Sequence, residues 1–110
     1  IITQGYTKEV VFYMNEELKN LKEELLQEEV DTEKIAGQIT KIREQWAEKY
    51  QKLAYFIEHD ELEKVETELT SLQANIEIEE YKQGIPDLQK CIFILNHIKD
   101  KSSLQIKNIF

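Results

Sequence analysis

Residues 35–57 read Ile35-Ala36-Gly37-Gln38-Ile39-Thr40-Lys41-Ile42-Arg43-Glu44-Gln45-Trp46-Ala47-Glu48-Lys49-Tyr50-Gln51-Lys52-Leu53-Ala54-Tyr55-Phe56-Ile57. The apolar residues Ile35, Ile39, Ile42, Trp46, Tyr50, Leu53 and Ile57 step by 4, 3, 4, 4, 3 and 4. That spacing puts them on one face of a helix. The next stripe, Leu62, Val65, Leu69, Leu72 and Ile76, repeats the pattern, but the gap from Ile57 to Leu62 is five. At about 100° per residue, five steps turn the apolar face by about 140°. The stripe therefore changes phase at Glu58-His59-Asp60-Glu61. Two readings fit: a turn with Asp60 as N-cap and Glu63 completing a capping box, or one long helix that bends. The turn is favoured, because Asp and His tolerate left-handed dihedrals better than most residues.

Two further stripes flank this pair. Val11, Met14, Leu18, Leu21 and Leu25 step by 3, 4, 3 and 4, which predicts helix 1 over residues 7–29 with Thr7 as N-cap. Asp31 is placed to cap helix 2, with Val30 and Ile35 at hydrophobic-staple spacing. Gly37 costs that helix about 1 kcal/mol relative to Ala and is read as a close-packing position. Tyr81, Ile85, Leu88, Ile92 and Leu95 form the fourth stripe, with Cys91, Ile94 and Ile98 as a second apolar face. Pro86 either starts this helix near Ile85 or kinks it. Ser102 and Ser103 are read as opening a last short turn, with Leu104, Ile106, Ile109 and Phe110 folding back over one end of the core. The aromatic residues are assigned to the same stripes.

The expectation is one domain over residues 1–110, all-α, an antiparallel up-and-down bundle of four helices. Composition agrees: of 110 residues 41% are hydrophobic and 33% charged, with three Gly and one Pro. That is too apolar for disorder and too poor in turn formers for a many-stranded sheet protein. Charge alternates along the chain, at −5, +1, −7 and +3 over residues 1–31, 32–58, 59–80 and 81–110. Successive helices of such a bundle would adjoin oppositely biased neighbours, although the greater part of the pattern is read as Glu and Lys serving simply as good, soluble helix formers. The net charge of −8 repels phosphates and argues against nucleic acid as a partner.

Signals for chemistry are sparse. A di-metal bundle site needs Glu-x-x-His on two helices; Phe56 precedes His59 by three and Ile94 precedes His97 by three. His59, Glu63 and His97 remain as candidate ligands of a single divalent cation, a metal-binding alternative to the main reading. Cys91 lies in the five-residue apolar run Cys91–Leu95, where a thiol is inert packing. The isolated glycines cradle no phosphate. The reading is a non-enzyme with no cofactor. An interaction surface is expected at Val10, Phe12 and Tyr13, where Val10-Val11-Phe12-Tyr13-Met14 is apolar all round, and at Asp60 and Glu61. Either Ile109 and Phe110 cover that apolar turn, or a protein partner, including a second copy in a homodimer, does, or the turn is the end of a segment that continues toward a membrane.

Trp46 with Lys49-Tyr50 and Leu53, then Phe56-Ile57-Glu58-His59-Asp60-Glu61-Leu62-Glu63, Leu95-Asn96-His97-Ile98 and the ending Leu104-Gln105-Ile106-Lys107-Asn108-Ile109-Phe110 together resemble an uncharacterised family of short helical proteins from clostridia and related Firmicutes, catalogued as a domain of unknown function. The resemblance covers the last two thirds of the chain. It implies a single transmembrane helix ahead of Ile1, and so a single-pass membrane protein with this domain outside the cytoplasm. It carries over no catalytic residue. A fainter likeness of Glu80-Tyr81 through Leu95 to tetratricopeptide helices implies a peptide-binding scaffold, whose helix pairs would stack as a superhelix.

Overall fold

A computed structural model describes the backbone of residues 2–109 and the side chains of residues 5–101. Four helices follow one another: α1 (Ile2–Leu25), α2 (Thr32–Leu53), α3 (His59–Glu77) and α4 (Tyr81–Ile109). There is no strand among the described residues. α1 packs on α2 and α4, and α3 packs on α2 and α4, with no diagonal pair. The helices therefore close a ring around one core, which removes the stacked-superhelix alternative.

Cross-helix contacts fix the antiparallel sense. Glu24 meets Lys34 and Glu17 meets Lys41 between α1 and α2; Arg43 meets Glu66 between α2 and α3; Lys101 meets Glu61 between α4 and α3. Each joins a base of the less acidic helices α2 and α4 to an acid of the more acidic α1 and α3. Those of the pairs that lie open to water are worth about 0–1 kcal/mol each, so they choose neighbours more than they hold the fold.

The core supplies the stability. Leu18, Leu21, Trp46, Leu62, Leu69, Leu72, Leu88 and Leu95 are all buried, and burying a side chain of this size contributes roughly 1.5–3 kcal/mol. All four stripes point inward. A polar pair lies among them: the Asn15 side-chain amide donates to Asn96 Oδ1 at 2.9 Å across the α1–α4 seam. A half-buried amide pair of this kind favours one register, because sliding the helices would part the two groups.

Element ends differ from expectation in several places. α1 begins at Ile2 and ends at Leu25, so Thr7 is no cap; it lies inside the helix, buried, with its hydroxyl unpartnered. Asp31 does cap α2: its Oδ1 accepts from the Lys34 amide at 3.1 Å, and Val30 packs against the core. The phase change is a true break, with α2 closed by Ala54 and α3 opened by Glu58. Glu58, and not Asp60, is the N-cap, and its side chain makes no cap bond. Asp60 falls in the first turn, where its charge suits the positive helix end. Gly37 has nothing within 4 Å of an added Cβ, whereas one on Gly84 would lie 3.0 Å from Leu72 Cδ1; the close approach is at Gly84, between α3 and α4. α4 starts at Tyr81 with Pro86 inside it. It also runs on through Ser102 and Ser103, so no new turn opens there. The expected plug of Leu104, Ile106, Ile109 and Phe110 concerns side chains outside the described residues.

α3 ends in a left-handed turn. The Glu80 amide donates to the Asn75 carbonyl at 2.8 Å and the Glu79 amide to the Ile76 carbonyl at 3.1 Å. This is a Schellman motif, whose αL position usually holds glycine. Here Glu79 occupies it at φ 61°.

Candidate functional site

The α2–α3 junction gathers the polar residues that the sequence singled out. Leu53 ends α2, the chain crosses Ala54–Ile57, and His59 opens α3. This brings Tyr50, in the last turn of α2, against His59. His59 Nε2 lies 3.1 Å from Glu63 Oε1, one turn further along α3. Its Nδ1 lies 3.0 Å from the Tyr50 hydroxyl. A neutral imidazole that donates from Nε2 to the carboxylate leaves Nδ1 to accept the phenol proton. Tyr50 also sets its ring edge-on to Trp46 at 6.1 Å and to His59 at 6.4 Å. The line Tyr50–His59–Glu63 thus ties α2 to α3 where the N-cap Glu58 offers no side-chain bond. It has the order of a phenol, a base and an orienting carboxylate, but it lies open to water on the bundle surface.

His97 does not join it. His97 borders a cleft of about 310 Å³ between α3 and α4 with Glu61, Lys64, Phe93 and Ile94. Among the described residues, no group of three His, Cys, Asp or Glu is placed to hold a metal ion. The structure therefore brings together two of the three candidate ligands, His59 and Glu63, and leaves the third on another face.

The expected interaction residues also separate. Val10 belongs to the core, with Val11 and Met14, and Glu61 is buried. One Glu61 oxygen faces Lys64 at 3.6 Å and Lys101 at 3.7 Å, and the other has no partner. Tyr13 is half-buried and donates to Glu17 Oε1 at 3.2 Å. Burial, and next the Glu17 charge, hold its phenol above the ordinary value. Phe12 and Asp60 are exposed.

Several aromatic residues assigned to the core stripes are outside it. Phe12 is 68% exposed, Phe93 73%, Tyr55 85% and Phe56 37%. Helical phase already separates them: Phe93 follows the stripe residue Ile92 by one, and Tyr55 follows Leu53 by two. Phe12 borders a groove of about 590 Å³ between α1 and α4, lined also by Val11, Asn15, Lys19 and Lys99. Tyr55 and Phe56 stand at the α2–α3 junction. Cys91 is buried, and that burial, followed by the charge of Glu68, pushes its thiol up to about 12. It is protonated at neutral pH and unreactive as a nucleophile.

Fold and polar contacts together define a closed antiparallel four-helix bundle whose charged and hydrogen-bonding groups mostly tie one helix to the next. The chain belongs to the family described as a domain of unknown function, DUF4363, which matches residues 1–109. The match takes in α1 as well as the last two thirds of the chain, which carry the residues of the resemblance. No curated protein and no solved structure matches the chain.

Proposed function

We propose that this chain is a non-catalytic interaction or sensing domain of a membrane-tethered protein, working outside the cytoplasm of a Firmicute. The observation that carries the interaction role is the exposure of Phe12, at the α1–α4 groove, and of Phe93, at the α3–α4 cleft, two large apolar side chains held in water. A closed bundle that has already buried its stripes gains nothing from them, whereas a partner that covers them does. The polar contacts support a role without chemistry: His59, Glu63 and Tyr50 hold one another, and the only cysteine is buried. No helix of the described residues is long and apolar enough to cross a membrane. The tether of this reading is a segment ahead of Ile1, as the family likeness implies.

Two measurements test the reading. A photo-crosslinking residue placed at Phe12 or Phe93 in the native host should give one discrete adduct, and the same residue at exposed Ala47 should give none. Equal labelling at all three positions, or none at any, refutes the interaction role. The full reading frame, with fractionation of the cell, tests the tether: a soluble product lacking an upstream apolar segment of about 20 residues removes it.

A further inference from the structure

The two ends of the bundle differ in chemistry, and the folded chain creates the difference. At one end lie the α1–α2 link (residues 26–31) and the α3–α4 link (residues 78–80). Thr32 and Ala36 line one groove there with Ile76, Glu77 and Glu79. Residues 22–34 and 77–82, which build this end, hold nine acids and three lysines. That is −6 of the chain's net −8. At the other end lie the start of α1, the α2–α3 junction and the descending α4. Lys52 sits over the Tyr6 ring at 4.3 Å, and Lys101 meets Glu61. Residues 5–9, 47–64 and 97–101, which build this end, hold seven acids and six lysines, so it is nearly neutral. It also carries Tyr55 and Phe56, the aromatic pair left in water at the junction.

We propose that this end of the bundle, through Tyr55 and Phe56 of the α2–α3 junction, rests on an anionic phospholipid surface while the acidic end points away from it. The inference rests on the membrane-tether reading and adds an orientation to it. Tyr55, with one wet and one apolar end, favours the headgroup level of a bilayer, Phe56 adds an apolar ring beside it, and lysine stems reach along the surface. An anionic leaflet attracts lysines and repels carboxylates within a Debye length. A body about 51 Å long with its surplus charge at one end is therefore turned end-on. The N-terminus of α1 lies at the end that would face the lipid, so a tether entering there brings the aromatic pair to the surface without bending the chain back.

The test uses residues 1–110 with an N-terminal histidine tag, captured on phosphatidylcholine vesicles that contain a quarter phosphatidylglycerol and a trace of nickel-chelating lipid. In a Cys91→Ala background, Tyr55→Cys or Glu29→Cys carries an environment-sensitive dye. A dye at position 55 should shift to the blue and lose more than half its emission to spin-labelled lipid, and a dye at position 29 should do neither. Phe56→Ser should weaken the response at 55, with the circular dichroism spectrum unchanged. Equal responses at both positions, or none at 55, overturn the orientation. A blue shift at 55 that appears without vesicles and grows with protein concentration assigns this end to a second copy and overturns it as well. Because the tag supplies the tether, this experiment can fail while the native protein is still found anchored. An unanchored native protein instead removes the reading beneath it.

Discussion

Replacing Glu79 by glycine should make this protein more stable although it removes a side chain and forms no contact. Glu79 holds φ 61° because the Schellman motif that ends α3 needs a left-handed residue there. An L-residue with a Cβ pays roughly 1–2 kcal/mol in that region. Glycine relieves this cost, but it adds backbone freedom to the unfolded chain worth about 0.5–1 kcal/mol. Removing a carboxylate just ahead of α4 gives up part of a helix-end interaction of about 0.3–1 kcal/mol, and less repulsion from Glu77 and Glu80 offsets that loss. The expected net gain is about 0.5–1 kcal/mol. With an unfolding entropy of about 2.1 cal/mol/K per residue, this raises the Tm by about 2–4 °C. Urea unfolding followed by circular dichroism, and by the fluorescence of buried Trp46, measures it. Glu79→Ala separates strain from charge: it removes the same carboxylate but keeps the Cβ, and should gain nothing. If Ala and Gly stabilise equally, or if Gly lowers the midpoint, the argument from backbone strain is wrong.

Other substitutions test neighbouring claims. Gly37→Ala should stabilise by about 0.5–1 kcal/mol in chemical denaturation, since the added Cβ meets nothing and helix propensity rises; Gly84→Ala should gain less or lose, because Leu72 Cδ1 stands 3.0 Å from its Cβ. Asp31→Ala should cost about 1 kcal/mol through its lost cap, while Glu58→Asp should gain up to about 1 kcal/mol by supplying the bond that α3 lacks; melting temperatures of the two variants should move in opposite directions. The Cys91 thiol should resist a disulfide reagent at pH 8 until the protein unfolds. Its folded value of about 12 lies above the ordinary 9.0, so the folded state binds more protons between those values. The stability it confers is complete below pH 9 and falls as the pH rises toward 12. A Cys91→Ala variant should lose that part of the alkaline decline in unfolding free energy.

How much of the site is legible in the sequence depends on range along the chain. Contacts one helical turn apart were within reach of the sequence: His59 and Glu63 share a face and do meet. Tyr50 lies on a core stripe by spacing, and its hydroxyl bond to His59 depends on how α2 ends and α3 begins. His97 and His59 share a rare ligand type, but spacing along the chain does not say on which face of a closed ring each falls. Val10 and Glu61 lie in stretches that read as available surface and are buried, since the α1–α2 and α3–α4 seams cover them. Cap geometry at Thr7 and Asp60 misled similarly. A side chain able to cap is visible in a sequence, whereas the residue at which the backbone leaves the helix is decided by packing.

The sequence by itself determined the four stripes, the helical class, the break near His59, the Asp31 cap and the alternation of charge from helix to helix. These follow from the helical period and from interactions a few residues apart. Only the tertiary structure decided that α1 closes onto α4, that Gly84 and not Gly37 marks the close approach, and that Asn15 pairs with Asn96. It also decided that acid runs some fifty residues apart share one end while Tyr55 and Phe56 hold the other. Each of these joins segments distant in the chain, and the energy that brings them together, the burial of four apolar faces in one core, is non-directional. It requires that the stripes meet and leaves their register, neighbours and ends to the fit of particular side chains.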